Sequence, residues 1–96
     1  MIRHIVFFSA RNKEDVGAIV EGLKRLAEIP HSSLFEVMPN TKSDPISGEI
    51  DVVVYGEFEN AEALAAYKAH PIYSETTAVV RPLRELRISA DVVSTL

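Results

Sequence analysis

The chain has no cysteine at all, which removes disulfides, a thiolate nucleophile and cysteine-ligated zinc together. Basic residues are also scarce: 10 Lys and Arg face 14 Asp and Glu, for a net charge of −4. A phosphate backbone is held by clustered Lys and Arg, so no nucleic-acid partner is expected. No apolar run approaches the roughly 18 residues that a membrane-crossing helix needs, so no membrane partner is expected either. The opening Met1-Ile2-Arg3-His4 leads straight into a patterned segment rather than a leader, which makes a cytoplasmic location the expectation. Glycine-rich phosphate cradles, serine elbows and His pairs at zinc spacing are all missing. Asp44, Glu49 and Asp51 bring three carboxylates near one loop, but calcium-loop spacing and its central glycine are lacking. Neither a metal nor a cofactor is expected.

What is present is one domain's worth of ordinary globular sequence, 96 residues of which 47% are hydrophobic and 25% charged. Ile2 to Ala10 alternates as a strand, with Ile2, His4, Val6 and Phe8 on one face and Arg3, Ile5, Phe7 and Ser9 on the other. Asn12 can cap a helix from about Lys13 to Glu28, whose apolar positions Val16, Ile19, Val20, Leu23, Leu26 and Ala27 recur at helical spacing before Pro30. Leu34 to Met38 reads as a second strand. A loop rich in Pro, Asn and Asp follows and is expected to be mobile. Ile50 to Phe58 reads as a third strand, with Val52, Val54, Gly56 and Phe58 opposed to Val53, Tyr55 and Glu57. Asn60 offers a second N-cap, for a helix that ends before Pro71, and Tyr73 to Val80 suits a short further helical segment. Leu86, Ile88, Ala90 and Val92 then alternate with Arg87, Ser89 and Asp91 in a fourth strand with a single apolar face.

The order β-α-β-β-α-β predicts an α+β, ferredoxin-like fold in which helices cover one face of a four-stranded antiparallel sheet. The central strands are apolar on both faces, so Ile5, Phe7, Val53 and Tyr55 need cover that one chain's helices do not supply. Each large apolar side chain moved out of water is worth about 1.5–3 kcal/mol. An isologous sheet-to-sheet homodimer through those four residues is the expected solution.

The same residues carry a resemblance. Met1-Ile2-Arg3-His4-Ile5-Val6-Phe7-Phe8, then Phe58-Glu59-Asn60-Ala61-Glu62-Ala63-Leu64-Ala65-Ala66-Tyr67-Lys68-Ala69-His70-Pro71, then Val80-Arg81-Pro82, resemble the stress-responsive dimeric α/β-barrel family, called Dabb. The resemblance spans about residues 1 to 93. It implies a dimeric barrel made of two ferredoxin-like sheets and relatives that include a plant polyketide cyclase, within a broader dimeric-barrel fold that hosts small monooxygenases. In the cyclase relative, the catalytic pair is a Tyr matching Tyr67 and a His three positions past the one matching His70. Here that second position is Tyr73.

The candidate catalytic groups are therefore His4, Tyr67 and His70, with Val6, Phe8, Val54, Tyr73 and Arg87 as the expected ligand-binding set. A phenol can donate to a carbonyl oxygen and an imidazole can take a proton from carbon, which suits enolisation or aldol-type closure. Each residue also has a structural reading: His4 as a satisfied core histidine, Tyr67 as core, His70 as a helix-terminus cap and His31 as a solvated turn residue. Arg81, Arg84 and Arg87 are either paired surface charges or donors to a carboxylate. Two functions follow. One is binding of a small apolar or aromatic ligand between sheet and helices by a stress-linked protein; the other is a cofactor-free enzyme of monooxygenase, cyclase or isomerase type.

Overall fold

Residues 1–96 are described by a computed structural model. The elements run β1 (Ile2–Ala10), α1 (Val16–Lys24), β2 (Leu34–Pro39), β3 (Val52–Phe58), α2 (Ala61–Ala69), α3 (Pro71–Val80) and β4 (Arg84–Val93). The strands form one antiparallel sheet in the order β2-β3-β1-β4, the ferredoxin-like arrangement. No helix is long and apolar enough to cross a membrane. The molecule is a slab of 35 × 31 × 16 Å, thin because a single helical layer covers a single sheet.

Local chemistry explains most of the boundaries. Asn60 caps α2 through its side-chain oxygen, which accepts from the Ala63 N–H at 2.9 Å. Asn12 has the extended backbone of a cap but makes no side-chain cap bond. The expected Lys13–Glu28 helix accordingly begins with a 3₁₀ turn at Lys13–Asp15 and ends in another at Arg25–Glu28. Ala27, expected on its buried face, is exposed in that terminal turn. The short segment expected after Pro71 is a full helix, with Pro71 in its first turn where a missing N–H costs nothing.

The core lies between the helices and one face of the sheet. Ile19, Leu23 and Leu26 meet Val6, Phe8, Val52 and Val54, and Phe58 packs against Leu64 and Tyr67. Two glycines permit close approach: a Cβ on Gly22 would lie 3.2 Å from the Val80 side chain, and one on Gly56 would meet the Phe58 and Phe35 rings at 3.0 and 3.2 Å.

The loop expected to be mobile is pinned at both ends. Asn40 donates from Nδ2 to the Ser47 and Ile50 carbonyls. Asp51, which is 3% exposed, accepts from the Ala10 N–H at 2.8 Å and from the Lys13 and Lys42 ammoniums at 2.7 Å each. Burial alone would raise its pKa, but these three donors outweigh it and hold the carboxyl at about 2. Asp51 is thus fully engaged by protein donors, and the structure has no group of three side chains placed to hold a metal ion.

Strand β4 has the single apolar face that its pattern predicts, and register decides which way that face looks. Its register against β1 pairs Phe8 with Arg87, Val6 with Ser89 and His4 with Asp91, so its polar residues face the helical layer. Ile88, Ala90 and Val92 pair with Phe7, Ile5 and Arg3 and lie on the open face. The apolar stripe thereby extends the patch containing Ile5, Phe7, Val53 and Tyr55, where Phe7 is 38% and Ile88 53% exposed. Ion pairing on that face lies at one end. There Arg3 donates to the Tyr55 hydroxyl at 2.9 Å and Tyr55 donates to Glu57 at 2.6 Å.

Candidate functional site

A cavity of about 390 Å³ opens between the sheet and the helices α1, α2 and α3. Its apolar wall comes from Val6, Phe8 and Val54 on the sheet and from Leu23, Leu26 and Val80 on the helical side. The polar part is contributed by His4, Tyr67, Tyr73, Thr76, Lys68 and the arginines Arg81, Arg84 and Arg87. Of the eight residues proposed from sequence for catalysis or binding, seven line this one space: His4, Tyr67, Val6, Phe8, Val54, Tyr73 and Arg87.

His70 does not line it. It sits between α2 and α3 in an extended conformation, and its Nδ1 accepts from the Ile72 N–H at 3.1 Å, which caps α3. Its ring lies 6.2 Å from that of exposed His31. Tyr67 and His70 stand three positions apart, a spacing that brings side chains together on a helix, but the chain leaves helical geometry at His70 itself. The expected Tyr67–His70 pair is therefore divided between cavity and cap.

His4 is 1% exposed, and its Nδ1 lies 2.5 Å from Asp91 Oδ1 across the β1–β4 pair. The carboxylate can only accept, so Nδ1 carries the hydrogen and Nε2 keeps its lone pair. Burial lowers the His4 pKa, an effect that the hydrogen bond to Asp91 opposes without cancelling. The imidazole is neutral at pH 7. Asp91 also lies 3.8 Å from the Lys68 ammonium. Sequence reasoning missed the Asp91 partnership because residues 87 positions apart meet only through sheet register.

Tyr67 is 1% exposed and stands among rings, with centroids 5.0 Å from Phe58, 5.3 Å from Tyr73 and 6.0 Å from His4. Desolvation pushes its phenol pKa far upward, so it stays protonated and acts as a donor. Tyr73, at the position where the cyclase relative has a histidine, receives a long hydrogen bond of 3.4 Å from Arg87.

Arg84 joins Arg87 in the cavity through a β-bulge. Ala10 pairs with Arg84 and Ser9 with Leu86, which leaves Glu85 as the extra residue. Three positions apart, the two arginines would fall on opposite faces of a regular strand; the added residue puts them on the same one. The Leu86 N–H near the irregularity is satisfied by the Ser9 hydroxyl at 3.0 Å.

The family model of the stress responsive A/B barrel domain, Dabb, matches residues 2–94. The chain belongs to the Dabb family. Among solved structures, a Dabb family protein with a ferredoxin-like fold from Mesorhizobium loti MAFF303099 is 27% identical, with 97% of this chain and 95% of that one covered and a TM-score of 0.74. A dimeric ferredoxin-like protein of unknown function from Thermobifida fusca YX is 22% identical, with 97% and 90% covered and a TM-score of 0.81. A candidate antibiotic biosynthesis monooxygenase from Nitrosomonas europaea is 20% identical, with both chains covered in full and a TM-score of 0.82. At such identities the last two likenesses speak for the fold alone. No functionally curated protein matches the chain.

Proposed function

We propose that this Dabb protein is a cytoplasmic homodimer with a stress-linked role, which binds a small apolar or aromatic ligand in the cavity between sheet and helices. The observation that carries the binding reading is the cavity itself, about 390 Å³ with an apolar floor and polar groups that run along it from His4 to Arg84. Tyr67 gives it a phenol that makes no hydrogen bond within the chain and is free to donate to a ligand oxygen. The dimer reading rests on the continuous apolar face around Phe7 and Ile88 and on the description of the T. fusca relative as dimeric. Two such sheets packed face to face form a dimeric barrel in which the ligand cavity of each chain stays on the outer, helical side.

Both parts can be tested directly. Titration with the neutral fluorophore N-phenyl-1-naphthylamine is expected to saturate at one molecule per chain, and Thr77→Trp, at a further lining position on α3, is expected to fill the cavity and abolish binding. Saturable binding that survives Thr77→Trp would place the ligand elsewhere. Sedimentation at micromolar concentration is expected to give a dimer for the natural chain and a monomer for Phe7→Lys; a monomeric natural chain removes the assembly.

A second reading is favoured by the His4–Asp91 contact. A neutral imidazole oriented by a carboxylate through Nδ1 is suited to take a proton at Nε2, and protonated Tyr67 is suited to donate to a carbonyl oxygen. On this reading the protein is a cofactor-free enzyme acting on a ketone, phenol or polyketide-like substrate. Turnover of such a substrate is expected to fall as pH drops below 6.5, where His4 gains its proton, and to be abolished by His4→Ala and strongly reduced by Tyr67→Phe. Binding without product in the natural chain leaves the first reading alone.

A further inference from the structure

The protein is acidic overall, yet its cavity is lined by no acidic residue and by four of its ten lysines and arginines, namely Lys68, Arg81, Arg84 and Arg87. Carboxylates on the adjoining elements are engaged elsewhere. Glu75 on α3 pairs with Arg25 at 3.0 Å, Glu85 with Arg11 at 3.8 Å, and Asp91 with His4 and Lys68. Arg81, Arg84 and Arg87 have no ion-pair partner; the Tyr73 hydroxyl is the one side-chain group that any of the three guanidiniums reaches. Burial and the mutual repulsion of Arg87, Arg81 and Arg11 lower the Arg84 pKa. Like charges brought together without a counterion destabilise the chain that carries them.

A second observation lies on the same wall. Thr76 is 3% exposed and lines the cavity, and its hydroxyl is the one buried side-chain polar atom in the protein with no hydrogen-bond partner. Buried hydroxyls are nearly always satisfied, so an unpaired one on this wall adds to the polarity that the chain itself leaves without partners.

We propose that the ligand is an oxyanion on an apolar body, a carboxylate or phosphate monoester whose charged group sits among Arg81, Arg84 and Arg87 while its apolar part rests on Val6, Phe8 and Val54. The inference rests on the cavity being a binding site and specifies what that site selects. Arginine presents paired N–H donors in a plane, which matches either oxyanion and is not reproduced by a neutral group. The β-bulge at Glu85 is what brings the second and third of these forks to one face.

The test compares three probes of one shape, 1-naphthoate, 1-naphthyl phosphate and 1-naphthamide, by calorimetry on the full chain and on Arg84→Gln/Arg87→Gln. These residues lie at the cavity's rim, so the double variant is expected to keep its fold, which circular dichroism checks. At least one anion is expected to bind the natural chain about tenfold or more tightly than the amide, with the preference reduced to about twofold in the double variant and weakened by added salt. Which anion wins separates the carboxylate from the phosphate. Equal binding of anion and amide overturns the anion inference and leaves the cavity as a binding site. A preference that survives the double variant overturns the role of these arginines. Failure of all three probes to bind overturns both.

Discussion

Two regions that meet at Ala10 treat buried polarity in opposite ways. Around Asp51, a carboxylate taken out of water is met by one backbone N–H and two ammoniums. In the cavity, three guanidiniums share one space without a carboxylate, a phenol makes no bond, and a threonine hydroxyl is buried alone. The first arrangement pins a loop to the sheet and leaves no valence for a ligand. The second leaves its guanidiniums and phenol without protein partners, which is the ground of the binding reading proposed above.

That contrast can be broken by mutation, since satisfied groups cost stability when deleted and unsatisfied ones do not. Asp51→Ala is expected to destabilise the fold by about 1–3 kcal/mol in urea, because it strands the buried Ala10 N–H, while leaving ligand affinity unchanged. The effect is pH-dependent in a defined direction. Asp51 titrates at about 2 when folded and 3.8 when unfolded, so its contribution is complete above about pH 4 and is lost as pH falls toward 2. A urea series across that window is expected to show a drop in the natural chain that is smaller in Asp51→Asn. Thr76→Val is expected to do the reverse of Asp51→Ala, raising stability by up to about 1 kcal/mol by removing a hydroxyl without a partner. Smallest of all, Arg84→Gln and Tyr67→Phe are expected to change stability by about 0.5 kcal/mol or less while altering ligand affinity. A loss of 2 kcal/mol in Tyr67→Phe would mean that its hydroxyl has a structural role, and the contrast between the two regions would fail.

Most of the fold was legible because it depends on near-neighbour chemistry. The alternation in Ile2–Ala10 and Val52–Phe58, the Asn60 cap and the stop at Pro71 each act within a few residues. Family motifs added the connection between the first strand and α2. The lining of the candidate cavity was legible where it depended on parity within one strand or one helix face, as for His4, Val6, Phe8 and Tyr67. Reading failed where one residue changed the count. His70 breaks the helical period that suggested its side chain turns inward, and Glu85 breaks the strand period before Arg84. It also failed where register alone joins distant positions, as in Asp91 with His4 and Asp51 with Ala10.

The bulge frees the facing of Arg84 from the number of residues that separate it from Arg87. Deleting Glu85 would restore strict alternation with the two arginines two positions apart, so both would still face the helical layer. Straightening the strand at its present length would instead set Glu85 opposite Ala10 and turn Arg84 to the open face, while Val6, Phe8 and Val54 kept their places. Loss of the irregularity alone would thus exchange a cation for an anion on the cavity wall without changing a single residue type, a difference that comparison of aligned residues would overlook.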